Sequence, residues 1–186
     1  MDGRLSRKFT PAAGIPQGTV LGPILFGVYS EDLLRLLKDW KRAHSETQSV
    51  MYADDLTIST TAPTDKEASQ QIQPVLTAVL NWAEKNNMDI CAKTEAILFT
   101  ASDKEGLGLT LPTKSPVSLL GVTLEKALNW VQQWMSIKSV TNERIKQLSV
   151  LCGASRGPTQ HDARTFMKWY VESAMLYASE VWWPRM

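Results

Sequence analysis

Apolar and polar positions alternate on both sides of a short acidic pair. Val50, Tyr52 and Ala53 precede Asp54-Asp55, and Leu56 and Ile58 follow, separated by Thr57 and Ser59. Period-two alternation around turn-favouring residues predicts a β-hairpin with an Asp-Asp turn. Upstream the period changes. Val20, Ile24, Leu25 and Val28, then Leu33, Leu34, Leu36, Leu37 and Trp40, recur at helical spacing. They predict a largely buried helix over 19–40, broken near Ser30 to Asp32, with a polar loop over 44–49. Thr64-Asp65-Lys66-Glu67 has the form of a capping box. The helix it opens carries Ala68, Ile72, Val75, Val79 and Trp82 on one stripe. Pro74 removes a backbone donor inside that helix and predicts a kink or weak point. Asn86-Asn87 predicts its end.

Beyond that stop the pattern predicts two short strands, over 88–92 and 96–100, then a Gly- and Pro-containing loop over 103–114. A strand pair is expected over 117–124. From Trp130 onward the period is helical again. Ile145, Leu148, Leu151 and Cys152 predict an amphipathic helix over 141–152. Residues 153–158 read as a connection, and Thr159 as the cap of a last helix over 160–182. The fold class expected is α+β. Trp130, Trp134, Trp169, Trp182 and Trp183 gather in the helical third, where core packing is favoured over base stacking.

Composition narrows the picture only a little. A chain of 186 residues suits one domain, or one and a half, with a sizeable core. Apolar residues at 44% and charged residues at 21% are those of a globular protein. Lys+Arg is 20 and Asp+Glu 19, so overall charge does not point to nucleic acid. Basic residues do gather locally, at Arg4, Arg7 and Lys8, and at Lys138, Arg144, Lys146, Arg156, Arg164 and Lys168. Such residues by themselves read as solvated helix faces. Cys91, Cys152, His44 and His161 have no zinc spacing and form no nucleophile pair. The cysteines suit a reducing compartment. The start of the chain has no apolar signal core. The apolar run from Val20 to Tyr29 is too short to span a bilayer. The expectation is a soluble intracellular protein, nuclear or cytoplasmic, with no membrane partner.

The candidate chemistry lies at the acidic pair. Adjacent carboxylates concentrate negative charge that a cation relieves, and hard oxygen ligands suit Mg²⁺. Alone, an Asp-Asp hairpin is an ordinary turn. The upstream segment changes its meaning. Residues 14–26 read Gly-Ile-Pro-Gln-Gly-Thr-Val-Leu-Gly-Pro-Ile-Leu-Phe. Gly14, Pro16 and Gly18 constrain a loop, and Gln17 carries both donors and acceptors. In this order, GxPQGxxLxP followed by a helix and then Tyr52-Ala53-Asp54-Asp55, the two segments resemble the palm of a reverse transcriptase of the non-LTR retrotransposon (LINE) type. The resemblance continues through Asn81-Trp82, Lys93-Thr94-Glu95 and Phe99. Leu119-Leu120-Gly121-Val122 looks like the family's primer grip, and Tyr177 to Trp182 like the close of its thumb.

This resemblance implies a partial palm over 1–125, an antiparallel hairpin and short strands backed by helices, followed by an α-helical thumb over 126–186. It implies an RNA-directed DNA polymerase that joins deoxynucleoside triphosphates to a DNA primer on an RNA template, through two Mg²⁺ ions. Asp54 would be the main metal ligand and Asp55 the accessory one. Tyr52 would lie against the primer terminus. Gln17 and Gly18 would face the template and the incoming nucleotide, and Leu120 and Gly121 the primer. Lys93 would assist departure of pyrophosphate, or else is an exposed turn lysine. Where the family usually carries an Asn, this chain has Ile90-Cys91-Ala92. The family's further carboxylate stands on an earlier strand, and Asp2 is the only acid before Gly14. The expectation is therefore an incomplete metal site, a missing N-terminal polymerase half with the fingers, and no activity of this chain alone. The alternatives are a non-enzymatic nucleic-acid-binding remnant and a truncated reading frame without function. Apolar side chains near the hairpin and on the helix over 19–40 would then be left uncovered.

Overall fold

A computed structural model of the chain describes residues 14, 18–99, 111–153 and 157–183. It mixes helices with small antiparallel hairpins and packs as two compact units that divide after Cys91. Each unit has its own buried apolar cluster.

The first unit opens with α1 (Gly22–Tyr29) and α2 (Glu31–Ala43). Pro23 suits the first turn of α1, where a backbone donor has no acceptor. The two helices are separated at Ser30, inside the segment where the sequence predicts a break. Both the amide and the hydroxyl of Ser30 donate to the Phe26 carbonyl, at 2.9 and 2.8 Å, and close α1. The buried helix expected over 19–40 is corrected here. No residue of α1 is buried, and Val20 and Val28 are 88% and 69% exposed. Only Leu33 and Leu37 on α2 are fully buried, in one cluster with Val75 and Val79 of α3 (Asp65–Lys85), and Leu36 and Trp40 pack against its edge half-buried.

Strand β1 (Thr47–Tyr52) pairs antiparallel with β2 (Asp55–Thr60). The polar loop expected over 44–49 is therefore shorter, since Thr47 already belongs to the strand. Thr47 is buried opposite Thr60, and the Thr60 hydroxyl donates to Gln71 Oε1 at 2.9 Å. This side-chain chain ties the open end of the hairpin to α3, and Leu56 and Ile58 pack on the same cluster as Val75 and Val79. Thr64 caps α3 by accepting from the Glu67 amide at 3.3 Å. The helix continues through Pro74, whose ring lies on an exposed position while Val75 and Val79 bury the opposite face. Packing of the apolar stripe thus offsets the lost donor. α3 ends at Asn86, with Asn87 left-handed at φ +52°. The Met88 amide reaches the Ala83 carbonyl at 2.8 Å and the Asn87 amide the Glu84 carbonyl at 3.2 Å. Those two bonds form a Schellman stop, and asparagine tolerates its left-handed position.

The strands expected over 88–92 and 96–100 are not present among the described residues. A single parallel bridge joins Ala96 to Thr113, with amide bonds of 2.9 and 2.8 Å to Pro112 and from Lys114. Its partner segment is remote in sequence, so local periodicity carries no trace of it. Residue 100, and most of the loop expected over 103–114, lie outside the described residues.

In the second unit, β3 (Val117–Leu119) and β4 (Val122–Leu124) form the expected strand pair. Helix α4 runs from Val131 to Cys152, ten residues earlier than residue 141, where the amphipathic pattern predicts a start. Trp130 precedes it in a left-handed conformation, φ +61°, and the first two amides of the helix donate to Asn129 Oδ1 at 3.2 Å and Glu125 Oε2 at 3.3 Å. The buried positions of α4 are Gln133, Ile137, Thr141 and Leu148. Of the expected stripe, Ile145, Leu151 and Cys152 are exposed, and only Leu148 packs inward.

Thr159 caps α5 (Gln160–Phe166) in a reciprocal box with Asp162. The last helix is not continuous as expected. A π-helical segment (Met167–Glu172), a short α6 (Ser173–Met175) and α7 (Ser179–Trp182) replace it. Ala178, at φ +51°, turns the chain, and the Trp182 indole donates to the Tyr177 carbonyl at 3.0 Å. That corner delivers Trp182 into a cluster with Val122, Trp130 and Ile137, flanked by Trp134. Core packing therefore accounts for Trp130, Trp134 and Trp182. It does not account for Trp169 and Trp183, which are exposed. Among the described residues no helix is long and apolar enough to cross a membrane.

Candidate active site

The hairpin of β1 and β2 closes through two residues, Ala53 and Asp54, because Tyr52 already pairs with Asp55. The turn is thus Ala-Asp rather than Asp-Asp, with Asp55 the first residue of β2. Two-residue hairpin loops need a left-handed first position to match the twist of their strands. Ala53 supplies it at φ +52°, a conformation that costs a non-glycine residue about 1–2 kcal/mol. The tight turn puts Asp54 and Asp55 at consecutive positions at the tip, and both residues are exposed. Tyr52 is exposed beside them, on the residue paired with Asp55.

The donor set suits a hard divalent cation: two adjacent carboxylates, both accessible. It is also small. Among the described residues, no group of three or more acidic, histidine or cysteine side chains gathers where it could hold a metal.

The remaining site residues expected from the sequence fall in three places. Gln17 lies outside the described residues. Gly18 is exposed in the first unit at φ +83°, and a Cβ built there would meet nothing within 4 Å. Lys93, Leu120 and Gly121 belong to the second unit. Lys93 sits in an exposed turn. Leu120 and Gly121 are the two turn residues between β3 and β4, left-handed at φ +47° and +79°. The structure therefore brings together Tyr52, Asp54 and Asp55 within one unit, and Leu120 and Gly121 within the other.

Sequence reasoning missed what fixes the second turn. The Tyr177 hydroxyl donates to the Leu120 carbonyl at 2.7 Å. Its ring lies so close to Gly121 that an added Cβ would be 3.3 Å from Cε1. Gln133, fully buried on α4, accepts from the Thr123 amide at 2.8 Å and holds β4 from the other side. The pairing of Tyr177 with Leu120 spans 57 residues, and no local pattern marks it.

The chain is similar to polymerases of mobile elements. It is 29% identical over 185 residues to the RNA-directed DNA polymerase from mobile element jockey of Drosophila funebris, covering 96% of this chain and 20% of the relative. It is 26% identical over 182 residues to the probable RNA-directed DNA polymerase from transposon BS of Drosophila melanogaster, covering 91% and 20%. The probable RNA-directed DNA polymerase from transposon X-element of the same fly is 22% identical over 184 residues, again with 96% and 20% covered. The chain thus spans about a fifth of the length of the curated relatives it matches. No solved structure matches it. The profile described as reverse transcriptase (RNA-dependent DNA polymerase) matches residues 1–124, the part that holds both the carboxylate hairpin and the Leu120-Gly121 turn. On that match the chain belongs to the reverse transcriptase family.

Proposed function

We propose that the chain is the carboxylate-hairpin part of a palm, residues 1–125, followed by a helical thumb, residues 126–186, of a non-LTR retrotransposon polymerase. The observation that carries this reading is the exposed pair Asp54 and Asp55 at the tip of a two-residue hairpin, in a chain of this family. The division at 125 follows the order of motifs, whereas packing divides the chain after Cys91.

In this reading Asp54 is the principal carboxylate for Mg²⁺ and Asp55 the accessory one. When bound, such ions activate the primer 3′-oxygen and offset the charge on the departing pyrophosphate. The chain's own residues orient the substrates. Tyr52 offers an exposed ring beside the carboxylates, on which a primer terminus rests. The open space at Gly18 lets a template strand or an incoming nucleotide approach the backbone, with Gln17 adjacent. Lys93 donates a proton to the leaving pyrophosphate, and the turn at Leu120 and Gly121 supports the primer. The partners are an RNA template, a DNA primer and deoxynucleoside triphosphates, in the nucleus or cytoplasm.

Two carboxylates leave a two-metal site short of ligands, so the isolated chain is inactive in this reading. A second reading, a nucleic-acid-binding module without catalysis, is favoured by the exposure of Lys138, Lys146, Arg164, Lys168 and Trp169 in the second unit. One experiment addresses both. The purified chain is incubated with a labelled DNA primer on an RNA template, with Mg²⁺, and both binding and extension are measured. The expected result is weak binding that falls steeply with salt, and no extension. Extension that disappears in Asp54→Asn would show that the chain completes its own site. Absence of all binding would remove both readings.

A further inference from the structure

The carboxylate hairpin is a sheet of only two strands, β1 and β2, among the described residues. An antiparallel strand turns the N–H and C=O groups of alternate residues to its partner, and those of the residues between to its outer edge. Tyr52 closes the two-residue turn on Asp55, so Tyr52, Val50 and Gln48 bond to β2, while Ser49 and Met51 face the outer edge of β1. Neither Ser49 nor Met51 makes a backbone bond outside the hairpin among the described residues. Both also line an open groove of about 210 Å³ between β1 and α2. Leu34 and Leu37 of α2, with Leu56 of β2, give the groove apolar walls, and Lys38 and Lys41 supply its only charges. Those two lysines are exposed and have no ion pair among the described residues. The other two cations of α2, Arg35 and Arg42, are paired with Glu31 and Asp39. Asp55 stands on the opposite face of the hairpin, with Tyr52.

Unpaired edge groups are a template for one more strand. The lysines decide which strand. Side chains three residues apart on a helix are about 5–6 Å apart at Cβ. Alternate residues of an extended strand lie on one face about 7 Å apart, close enough for two flexible lysines to meet two carboxylates there. A second copy of β1 does not satisfy them. Thr47–Tyr52 carries no acid, and antiparallel self-pairing would bring two Lys38–Lys41 pairs to one seam. We infer that the β1 edge binds an extended acidic segment of a partner protein. Carboxylates at positions i and i+2 of that segment meet Lys38 and Lys41, and an apolar side chain at the next position of the same face rests on Leu34 and Leu37. Backbone pairing with Ser49 and Met51 fixes the register, and the lysines select the acid. The edge, the groove and the charge carry this inference, independently of the polymerase reading.

The test uses the full chain, labelled with ¹⁵N and titrated with the peptide acetyl-Thr-Glu-Thr-Glu-Thr-Val-Thr-amide. The expected result is a saturable shift of the Ser49 and Met51 amides, with slowed hydrogen exchange at both. The same peptide with lysine in place of both glutamates should bind at least tenfold more weakly. Lys38→Glu/Lys41→Glu, a change at two exposed positions, should reverse that preference, a result that an unfolded variant could not give. Lys66→Gln, outside the groove lining, should change affinity less than twofold. Peptides N-methylated at one or the other set of alternate amides should lose binding in one set only. The inference is overturned if the two amides do not shift saturably, or if the charge-reversed variant still prefers the acidic peptide. Binding kept by both methylated peptides would show attraction by charge alone and overturn the strand pairing. Slow exchange at Ser49 and Met51 without peptide, together with a dimer mass in sedimentation, would make the occupant a second copy and overturn the partner assignment.

Discussion

Trp182→Ala is expected to destabilise the second unit by about 3–5 kcal/mol, the range for deleting a buried large aromatic side chain. Trp182 is 1% exposed, and it closes the cluster of Val122, Trp130 and Ile137. Its removal leaves a cavity between β4 and α4 that a short terminal helix cannot fill by shifting. It also frees the Tyr177 carbonyl from the indole, and with it the corner at Ala178 that presents Tyr177 to the Leu120-Gly121 turn. Amide hydrogen exchange at Val122–Leu124 and along α4 measures the effect. Protection should fall by at least a factor of 100, and protection within threefold of the parent would show that Trp182 is not part of the core.

Gly121→Val is expected to cost about 2–4 kcal/mol, from two separable causes. A left-handed φ of +79° disfavours any residue with a Cβ by about 1–2 kcal/mol, and a β-branched one more. The added Cβ would also press on the Tyr177 ring at 3.3 Å, closer than ordinary contact. The same substitution in a Tyr177→Leu background should cost about 1 kcal/mol less, since it removes the clash and keeps the backbone strain. Chemical denaturation of the four proteins gives the coupling. Equal costs in both backgrounds would show that Tyr177 does not hold the turn.

Much of the first unit was legible because its signals are local. Alternation around Asp54 and Asp55 encodes a hairpin. Thr64 and Asn87 mark the two ends of α3 through capping and a left-handed stop. The turn residues were off by one, since pairing of Tyr52 with Asp55 decides them and no single residue type does. What depends on distant partners was not legible. The bridge of Ala96 to Thr113 replaces two expected strands. Ile145 and Leu151 have helical spacing but stand exposed in the folded unit. The start of α4 is capped by Asn129 and Glu125 across a left-handed Trp130, an arrangement that matches no standard capping spacing. The same contrast holds for the site. Tyr52, Asp54 and Asp55 are neighbours in sequence and stay together on one hairpin. The residues that support the second turn, Gln133 and Tyr177, come from separate helical regions and are found only by folding.

The exposed apolar positions carry their own meaning. Val20, Ile24 and Val28 on the α1 side, and Val50 and Tyr52 on the hairpin, stand open. Apolar side chains exposed on one face of a helix or strand favour association with another apolar surface.

The central claim is that Asp54 and Asp55 form a divalent-cation site. Mn²⁺, a paramagnetic stand-in for Mg²⁺, tests it most directly through line broadening in ¹⁵N spectra of the chain. The account predicts selective, saturable broadening of amides 52–56. Asp54→Asn should weaken it at least tenfold, and the Asp54→Asn/Asp55→Asn pair should abolish it. Because both carboxylates are exposed, neither substitution should unfold the hairpin. Broadening centred elsewhere, or broadening at the hairpin unchanged in the double variant, would contradict the account.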